Sequence, residues 1–253
     1  MDADLRFDWR SAGVTHTGNV RGVNEDSICQ RPEIGLWAVA DGMGGHRLGD
    51  IASRAATDAL SFVPYPSDLS QFIASVQSVL HGVNRDIFAQ SQAETMGCTV
   101  LVLLAFKNEC ACLWVGDSRA YRLRNDVLYS MTRDHSYVEE LVQLGHVSVQ
   151  EAQSHPQSHV LTRALGASAE LEVEVVRHEL SDGDRYLLCS DGLYRELSEL
   201  QLYHHLQRGD VQSQVDQMMA HTLSGPAVDN VSAIVVDFRC EVLADRDRCD
   251  RGI

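Results

Sequence analysis

The sequence predicts an α+β fold in which antiparallel sheets are covered by helices, and three observations lead to this prediction. Strand-type runs and helix-period stretches are segregated along the 253 residues, as strands, two helices, a block of strands, two further helices and a last strand. Neighbouring strand-type runs are joined by hairpin-length connections, whereas parallel strands need long crossovers. The sequence contains no repeats and no linker rich in proline, glycine or serine, so we expect one domain with its own core.

Seven runs rich in β-branched and apolar residues are predicted to form strands. In chain order they are LWAVAD (36–41), CTVLVLLAF (98–106), CACLWVGD (110–117), AYRLR (120–124), LEVEVVRHEL (171–180), DRYLLCSD (184–191) and VSAIVVDF (231–238). Four stretches in which apolar residues recur with the period of a helix are predicted to be helical. They cover residues 50–62, 68–90, about 196–207 and 211–223.

Residues 134–168 show little core pattern and only two short helical pieces, YVEELVQLG and SVQEAQ. An excursion of this length is typical of a surface segment close to a functional site. We therefore expect a small flap here, within a single domain that spans residues 5–240. The polar residues 241–253 are predicted to form a C-terminal tail.

The composition is that of an ordinary globular protein, with 44% hydrophobic and 23% charged residues. The formal net charge of −15 repels nucleic acid and anionic membranes, so we expect neither as a partner. The longest apolar run, TVLVLLAF, is too short to span a bilayer, and the N-terminus shows no signal-peptide pattern, which predicts a cytoplasmic location. The seven cysteines form no CxxC pair and are interpreted as reduced and mostly buried.

Acidic residues recur at the predicted ends of strands or in the adjoining turns. They are Glu25 and Asp26 in RGVNEDS, Asp41 in VADGMGG, Asp117 in VGDSRAY, Asp191 in CSDGLY and Asp229 in DNVSAIVV. A single aspartate beside a glycine is usually a turn residue, but several chain segments can converge at strand ends. Carboxylate and carbonyl oxygens suit Mg²⁺ or Mn²⁺, whereas zinc is not indicated by any HExxH motif. At VADGMGGH the residues alone leave a metal, a phosphate or a tight turn open.

A competing pattern is the spacing of Cys189 and Arg195, which have five residues between them as in cysteine-dependent phosphatases. In such a loop the thiolate and successive backbone N–H groups bind a phosphate dianion, and Asp191 inside the loop would repel that dianion. We therefore interpret Cys189 as a core residue of a strand and its spacing to Arg195 as chance.

Taken together, the acidic segments resemble the metal-dependent protein serine/threonine phosphatases of the PP2C (PPM) family, in their compact bacterial form. The resemblance covers about residues 11–238, and the motifs occur in family order as RGVNEDS, VADGMGGH, MGCTV, VGDSRAYRL, TRDHS, LTRALG, LLCSDGL and DNVSAIVV. It implies an α-β-β-α sandwich of two antiparallel β-sheets flanked by helices. It also implies a binuclear Mn²⁺ or Mg²⁺ centre in the loops between the sheets.

The resemblance assigns the ligands of the first metal ion. Asp41 resembles the carboxylate that bridges the two ions, and the backbone carbonyl of Gly42 resembles a ligand beside it. Asp191 and Asp229 are similar to the remaining ligands of the first ion. Glycine follows Asp41, on this interpretation, because a main-chain oxygen must come close to an ion.

Further residues are assigned by the same resemblance. Glu25 and Asp26 are similar to direct or water-mediated ligands of the second ion. Asp117 with Asp191 resembles the pair that holds a third, weaker ion in bacterial members. Arg21 resembles the arginine that binds the substrate phosphate, for which a guanidinium fork is well suited.

The implied reaction is hydrolysis of phosphoserine and phosphothreonine in proteins by attack of a water that bridges the two metal ions. A bacterial Hanks-type Ser/Thr kinase is the expected partner, a link to type VI secretion is suggested by size and architecture, and a monomer is expected. Met43 occupies the position where many eukaryotic members have a histidine proposed as general acid, which leaves a metal-bound water or His46 for that role. The alternative is a catalytically inactive phosphoprotein-binding pseudophosphatase, which would be expected to have lost Asp41, Asp191 or Asp229.

Overall fold

Two antiparallel sheets form the centre of the computed structural model, which describes residues 6–44, 48–91, 96–153 and 155–241. The first sheet has the strand order β1 (Arg6–His16), β11 (Val231–Glu241), β10 (Arg185–Cys189), β7 (Arg119–Arg124) and β8 (Val127–Ser130). The second sheet has the order β2 (Asp26–Arg31), β3 (Leu36–Gly44), β5 (Val100–Phe106), β6 (Glu109–Val115) and β9 (Glu174–Glu179), with β4 (Met96–Cys98) also paired with β3.

Helices cover the outer face of each sheet. The helices are α1 (Leu48–Ser61), α2 (Leu69–Gln90), α3 (Tyr137–Gln143), α4 (Val149–Gln153), α5 (Asp191–Tyr194), α6 (Glu199–Gln207) and α7 (Val211–Leu223). Apolar side chains form three clusters: one between α1, α2 and the second sheet, one between the sheets, and one between the first sheet and α5 to α7. This order of layers confirms the α-β-β-α sandwich. Within the described ranges, no helix combines the length and apolar character needed to cross a bilayer.

The central strands are apolar on both faces, which explains their continuous apolar sequences. In β3, Leu36, Ala38 and Ala40 face the helices, whereas Trp37 and Val39 face the other sheet. Because side chains alternate along a strand, a strand buried on both faces shows no polar alternation. Most of the runs that predicted strands therefore lie in the middle of the sandwich, although the run 171–180 forms β9 at the edge of the second sheet.

All four predicted helices are present, with boundaries that differ by up to three residues. The sequence pattern did not predict β1, β2 or β8. These strands lie at the edges of the two sheets, where one side of each lacks a neighbouring strand. In β1, exposed residues such as Asp8 and Arg10 interrupt the apolar pattern, although the strand pairs with β11 along its whole length.

Two predicted boundaries near VADGMGGH are wrong. The strand that begins at Leu36 does not end at Asp41 but continues to Gly44, because Gly42 and Met43 pair with β4. The predicted strand 98–106 is divided at Thr99, whose backbone N–H donates to the Asp41 carbonyl at 2.8 Å. Asp41 is consequently held inside paired structure and not in a free turn.

Residues 134–168 contain α3 and α4 and return to the second sheet. At the end of this segment, Leu165 and Cys98 exchange two backbone hydrogen bonds of 2.9 and 3.1 Å. Gly97 beside them lies against the Leu165 carbonyl and the Met43 side chain. The segment is thereby attached next to the end of β3 that carries Asp41.

Candidate metal centre

Asp26 and Asp41 are brought together by the pairing of β2 with β3, in which they stand directly opposite each other. Opposed residues of an antiparallel pair have Cβ atoms about 4.5–5.5 Å apart, and like charges at that distance repel. Asp191, at the start of α5, adds a third carboxyl group, which shares a hydrogen bond with that of Asp41. The core of the sandwich thus ends in a group of acids at this point.

The two oxygens of the Asp26 carboxylate differ in their hydrogen bonding. Its Oδ2 accepts hydrogen bonds of 2.7 Å from each of the hydroxyl groups of Ser190 and Ser232. Its Oδ1 is buried and has no hydrogen-bond partner in the part of the chain that the structure describes. Burial raises the pKa of Asp26 to about 7, although the two serine hydroxyls act in the opposite direction. A buried oxygen left unpaired costs about 1–3 kcal/mol, so this atom points to a ligand such as a cation.

Asp41 is fixed through its backbone. Its N–H donates to Thr99 Oγ1 at 3.1 Å, and Thr99 is in turn held by a 2.7 Å hydrogen bond with the Ser118 hydroxyl. The pKa of Asp41 is raised well above its ordinary value, first by burial and then by the negative charges of Asp26, Asp191, Asp117 and Asp229. The charges of these aspartates therefore act on one another, and the predicted aspartates form a single electrostatic cluster.

Gly42 lies where two chain segments approach closely. Its N–H donates to the Glu25 carbonyl at 3.1 Å. A Cβ atom on Gly42 would overlap the carbonyl group of Gly49 at the start of α1. Glycine is therefore required here by close packing, which keeps the backbone beside the acidic cluster accessible.

Glu25, Arg21 and Asp229 form the outer side of the cluster. Arg21 Nη2 lies 2.9 Å from Asp229 Oδ2, and the arginine side chain is 53% exposed. The Glu25 carboxylate accepts from the Gly49 N–H, and burial is the main cause that raises the pKa of Glu25. The Glu25 backbone N–H donates to Asn230 Oδ1 at 2.8 Å, which ties this loop to the start of β11.

Asp117 follows β6 and lies on the other side of Asp191. Burial, followed by the charges of Asp191 and Asp134, raises the pKa of Asp117 to about 7. The Tyr194 hydroxyl donates to the Asp117 carbonyl at 3.1 Å. Arg195 Nη2 lies 3.8 Å from Asp117 Oδ2, and Arg195 Nε lies 2.9 Å from Asp191 Oδ2.

The donor set fits hard divalent cations. It consists of carboxylate and backbone carbonyl oxygens, and the raised pKa values show that these carboxylates need positive charge to remain ionised. As the side chains stand, no three carboxylate, imidazole or thiol groups of the described residues converge on one ion. In this arrangement Arg21 pairs with Asp229 and Arg195 pairs with Asp191.

Several residues of the site were not singled out from the sequence. They are Thr99, Ser118, Ser190, Ser232, Asn230 and Gly49, and Arg195 had been interpreted only as part of a chance spacing. Most of them lie inside the motifs that carry the acids, so their position in the motif was the available signal. His46, a candidate general acid, lies outside the described residues.

Cys189 is a core residue, as its sequence context predicted. It is fully buried in β10, and burial raises the pKa of its thiol to about 12. Its Sγ lies 3.6 Å from the Arg119 carbonyl and not in a phosphate-binding loop. A thiol in this setting is neither ionised nor accessible near pH 7, which argues against a cysteine-dependent phosphatase. The other described cysteines are free, and all but Cys240 are buried.

The family model described as Protein phosphatase 2C matches residues 20–230, which include every residue of the predicted site. The chain belongs to the protein phosphatase 2C family. The Serine/threonine protein phosphatase PstP of Mycobacterium tuberculosis is 35% identical to this PP2C chain over 232 residues. That match covers 90% of this chain but only 45% of PstP, so the chain spans less than half of the length of this relative.

Solved PP2C structures agree with the fold. PppA, a key regulatory component of T6SS in Pseudomonas aeruginosa, is 38% identical with a TM-score of 0.86, and the match covers 94% of this chain and all of that one. The catalytic domain of PstP in complex with two manganese ions is 33% identical with a TM-score of 0.83, covering 92% and 99% of the two chains.

Proposed function

We propose that this PP2C chain is a metal-dependent phosphatase that hydrolyses phosphoserine and phosphothreonine in proteins. The observation that carries the proposal is the unpaired, buried Oδ1 of Asp26 in a cluster of carboxylates drawn from separate segments of the chain. Membership of the PP2C family and the two manganese ions held by the catalytic domain of PstP support it.

The proposed centre holds two Mn²⁺ or Mg²⁺ ions. Asp41 would bridge them, the Gly42 carbonyl and the carboxylates of Asp191 and Asp229 would complete the first site, and Glu25 and Asp26 would serve the second. When bound, such ions lower the pKa of a water and stabilise negative charge on the reacting phosphoryl group. The chain's contribution is to fix the ligands beforehand, through Thr99, Ser190 and Ser232.

Arg21 is proposed to bind the substrate phosphate. Its guanidinium is half-exposed at the rim of the cluster and pairs with Asp229. A phosphate dianion offers this guanidinium two oxygens in a geometry that suits bidentate binding. A phosphate that takes Arg21 would release Asp229 for a cation, so binding of substrate and of metal should favour each other.

Residues 134–168 are proposed to be a flap that contacts the phosphoprotein. The segment carries exposed apolar side chains, among them Leu144 at the end of α3 and Val149 at the start of α4. We further propose a cytoplasmic monomer that opposes a Ser/Thr kinase. The similarity to PppA supports a role connected with type VI secretion.

The proposal is tested by hydrolysis of a phosphothreonine peptide by the purified chain with Mn²⁺, with Mg²⁺ and with excess EDTA. We expect turnover that requires a metal and falls at least about 100-fold in Asp41→Ala, since even outer-shell residues of metal sites contribute about 10–100-fold. Cys189→Ser is the matched control and should retain turnover, because the serine hydroxyl can donate to the Arg119 carbonyl in place of the thiol.

The outcomes separate the candidate functions. Turnover that survives EDTA and is lost in Cys189→Ser would contradict the proposal. A folded chain without turnover under any of these conditions would favour the pseudophosphatase. Melting curves of both variants in EDTA show whether either substitution has only unfolded the chain.

A further inference from the structure

The resemblance to bacterial members of the family allows a third metal ion at Asp117 and Asp191, but an arginine of this chain lies between them. Arg195 Nε is 2.9 Å from Asp191 Oδ2, and Arg195 Nη2 is 3.8 Å from Asp117 Oδ2. We propose that Arg195 supplies from the chain itself the positive charge that a third cation would bring to this pair, and so excludes that ion. The inference rests on the proposed two-metal function.

Burial makes this ion pair more than a surface contact. The side chain of Asp117 is 8% exposed and that of Asp191 is 18% exposed, whereas Arg195 is 38% exposed. Charges in such a partly buried position are screened less by water and salt than exposed pairs. A divalent ion entering between the two carboxylates would have to approach or displace a fixed guanidinium, and like charges at that distance repel.

The surrounding residues hold Arg195 and Asp117 in place. Arg195 is four residues after Asp191, so its side chain returns over the short helix α5 to the carboxylate. Tyr194 donates its hydroxyl hydrogen to the Asp117 carbonyl, and its ring stacks under the Arg119 guanidinium at 3.9 Å. Arg119 forms two hydrogen bonds, of 2.8 and 2.9 Å, with Asp134. Arg195 therefore belongs to a network of ion pairs and hydrogen bonds around Asp117.

The positive charges are matched to the acids on this side of the cluster. Arg119 is assigned to Asp134, and Arg195 to Asp191 and Asp117. Among the described residues, no arginine pairs with the proposed second-ion ligand Asp26, which keeps an unpaired oxygen. Positive charge from the chain is thus placed at the third-ion position, while the position of Asp26 is left for a metal ion.

The test is the number of Mn²⁺ ions bound by the full chain after chelation, counted by titration with the electron paramagnetic resonance signal of free Mn²⁺. We expect wild type to bind two ions and Arg195→Gln to bind a third, with an affinity at least about tenfold above that of any third ion in wild type. This is the scale of a one-unit pKa shift caused by a neighbouring charge. Arg195→Lys keeps the charge and should still exclude the third ion.

A control substitution elsewhere in the chain makes the result specific to this position. Arg239→Gln removes an exposed arginine that is paired with Asp237 at 3.0 Å, far along β11, and should leave the stoichiometry at two. Three ions in wild type, or two ions with the same affinities in wild type and Arg195→Gln, would overturn the inference and leave the proposed function intact. A wild-type chain that binds no Mn²⁺ would overturn both.

Discussion

Asn230 shows how one side chain fixes two proposed functional residues. Its Oδ1 accepts from the Glu25 N–H at 2.8 Å, and its Nδ2 donates at 2.9 Å to the carbonyl groups of Thr17 and Val23. All three partners belong to the loop that carries Arg21. The amide therefore acts as a positioning group, since it holds the backbone of this loop.

Substitution Asn230→Ala should lower the free energy of unfolding by about 1–3 kcal/mol, because buried groups lose their partners. It should also weaken Mn²⁺ binding and raise KM for the phosphopeptide, since Glu25 and Arg21 are no longer held. The measurements are chemical denaturation, Mn²⁺ titration and steady-state kinetics. Asn19→Ala is the control, because the side-chain amide of exposed Asn19 donates to the Leu223 and Gly225 carbonyls and not to the Glu25 segment. Equal effects of the two substitutions on Mn²⁺ affinity would contradict the assignment.

For individual residues, the sequence predicts the acidic side chains of the site better than the side chains that orient them. Asp41 and Asp191 stand in motifs with neighbouring glycines, and the structure places them in one cluster. The hydroxyls that orient Asp26 come from Ser190 and Ser232, which are more than 160 residues away in the chain. A serine in a strand has many ordinary roles, so its bond to a carboxylate of the other sheet follows only from tertiary structure.

The contact between α1 and β3 is the element-scale feature that shapes the centre. Gly49 in the first turn of α1 lies against Gly42, and its N–H donates to the Glu25 carboxylate. A Cβ atom on Gly49 would stand 2.8 Å from the Gly42 carbonyl carbon and 3.0 Å from Glu25 Cδ. Both neighbours are proposed metal ligands. The absence of side chains at these two glycines sets how closely the helix approaches the strand.

Gly49→Ala should therefore weaken Mn²⁺ binding and destabilise the chain by about 1–3 kcal/mol, the usual cost of overpacking. Gly82→Ala provides the opposite case, because a Cβ atom on Gly82 in α2 meets nothing within 4 Å. That substitution should stabilise the chain by about 0.5–1 kcal/mol through helix propensity, with no change in Mn²⁺ affinity. Titration with Mn²⁺ and thermal unfolding test both variants, and unchanged Mn²⁺ affinity in Gly49→Ala would refute the packing argument.

Most elements that the sequence predicted have two buried faces or one clear helical face, and the edge strand β9 is an exception. The helices α1, α2, α6 and α7 each cover a sheet, and their apolar periodicity reports that contact. Strand β2, DSICQR, has one neighbour and a mostly polar composition, so only its pairing with β3 makes it a strand. The edge strand that carries Asp26 was thus harder to predict than the central strands that support the fold.

For the whole molecule, the centre is also a junction between the two sheets. Asp26 belongs to the second sheet, whereas its hydroxyl donors lie on β11 and directly after β10 of the first. Cations bound by Asp26, Asp41 and Asp191 would link the two sheets through their ligands. Because a ligand that binds only the folded state stabilises it, metal should raise the melting temperature as well as permit turnover.

The size of that stabilisation should depend on pH. Burial raises the pKa of Asp26 and that of Asp117 from 3.8 to about 7 in the folded, metal-free chain. Between about pH 4 and pH 7 the unfolded chain has lost protons that the folded chain retains, so stability in EDTA contributed by these groups falls as pH rises. Bound Mn²⁺ favours the ionised carboxylates and removes this loss of stability.

Buried histidines such as His135, whose pKa is lowered by burial, give stability the opposite pH dependence but act equally with and without metal. The difference between the melting temperatures in Mn²⁺ and in EDTA should therefore widen from pH 5 to pH 8. In Asp41→Asn this difference should widen less. A constant difference across this pH range would show that the acids do not form a metal centre.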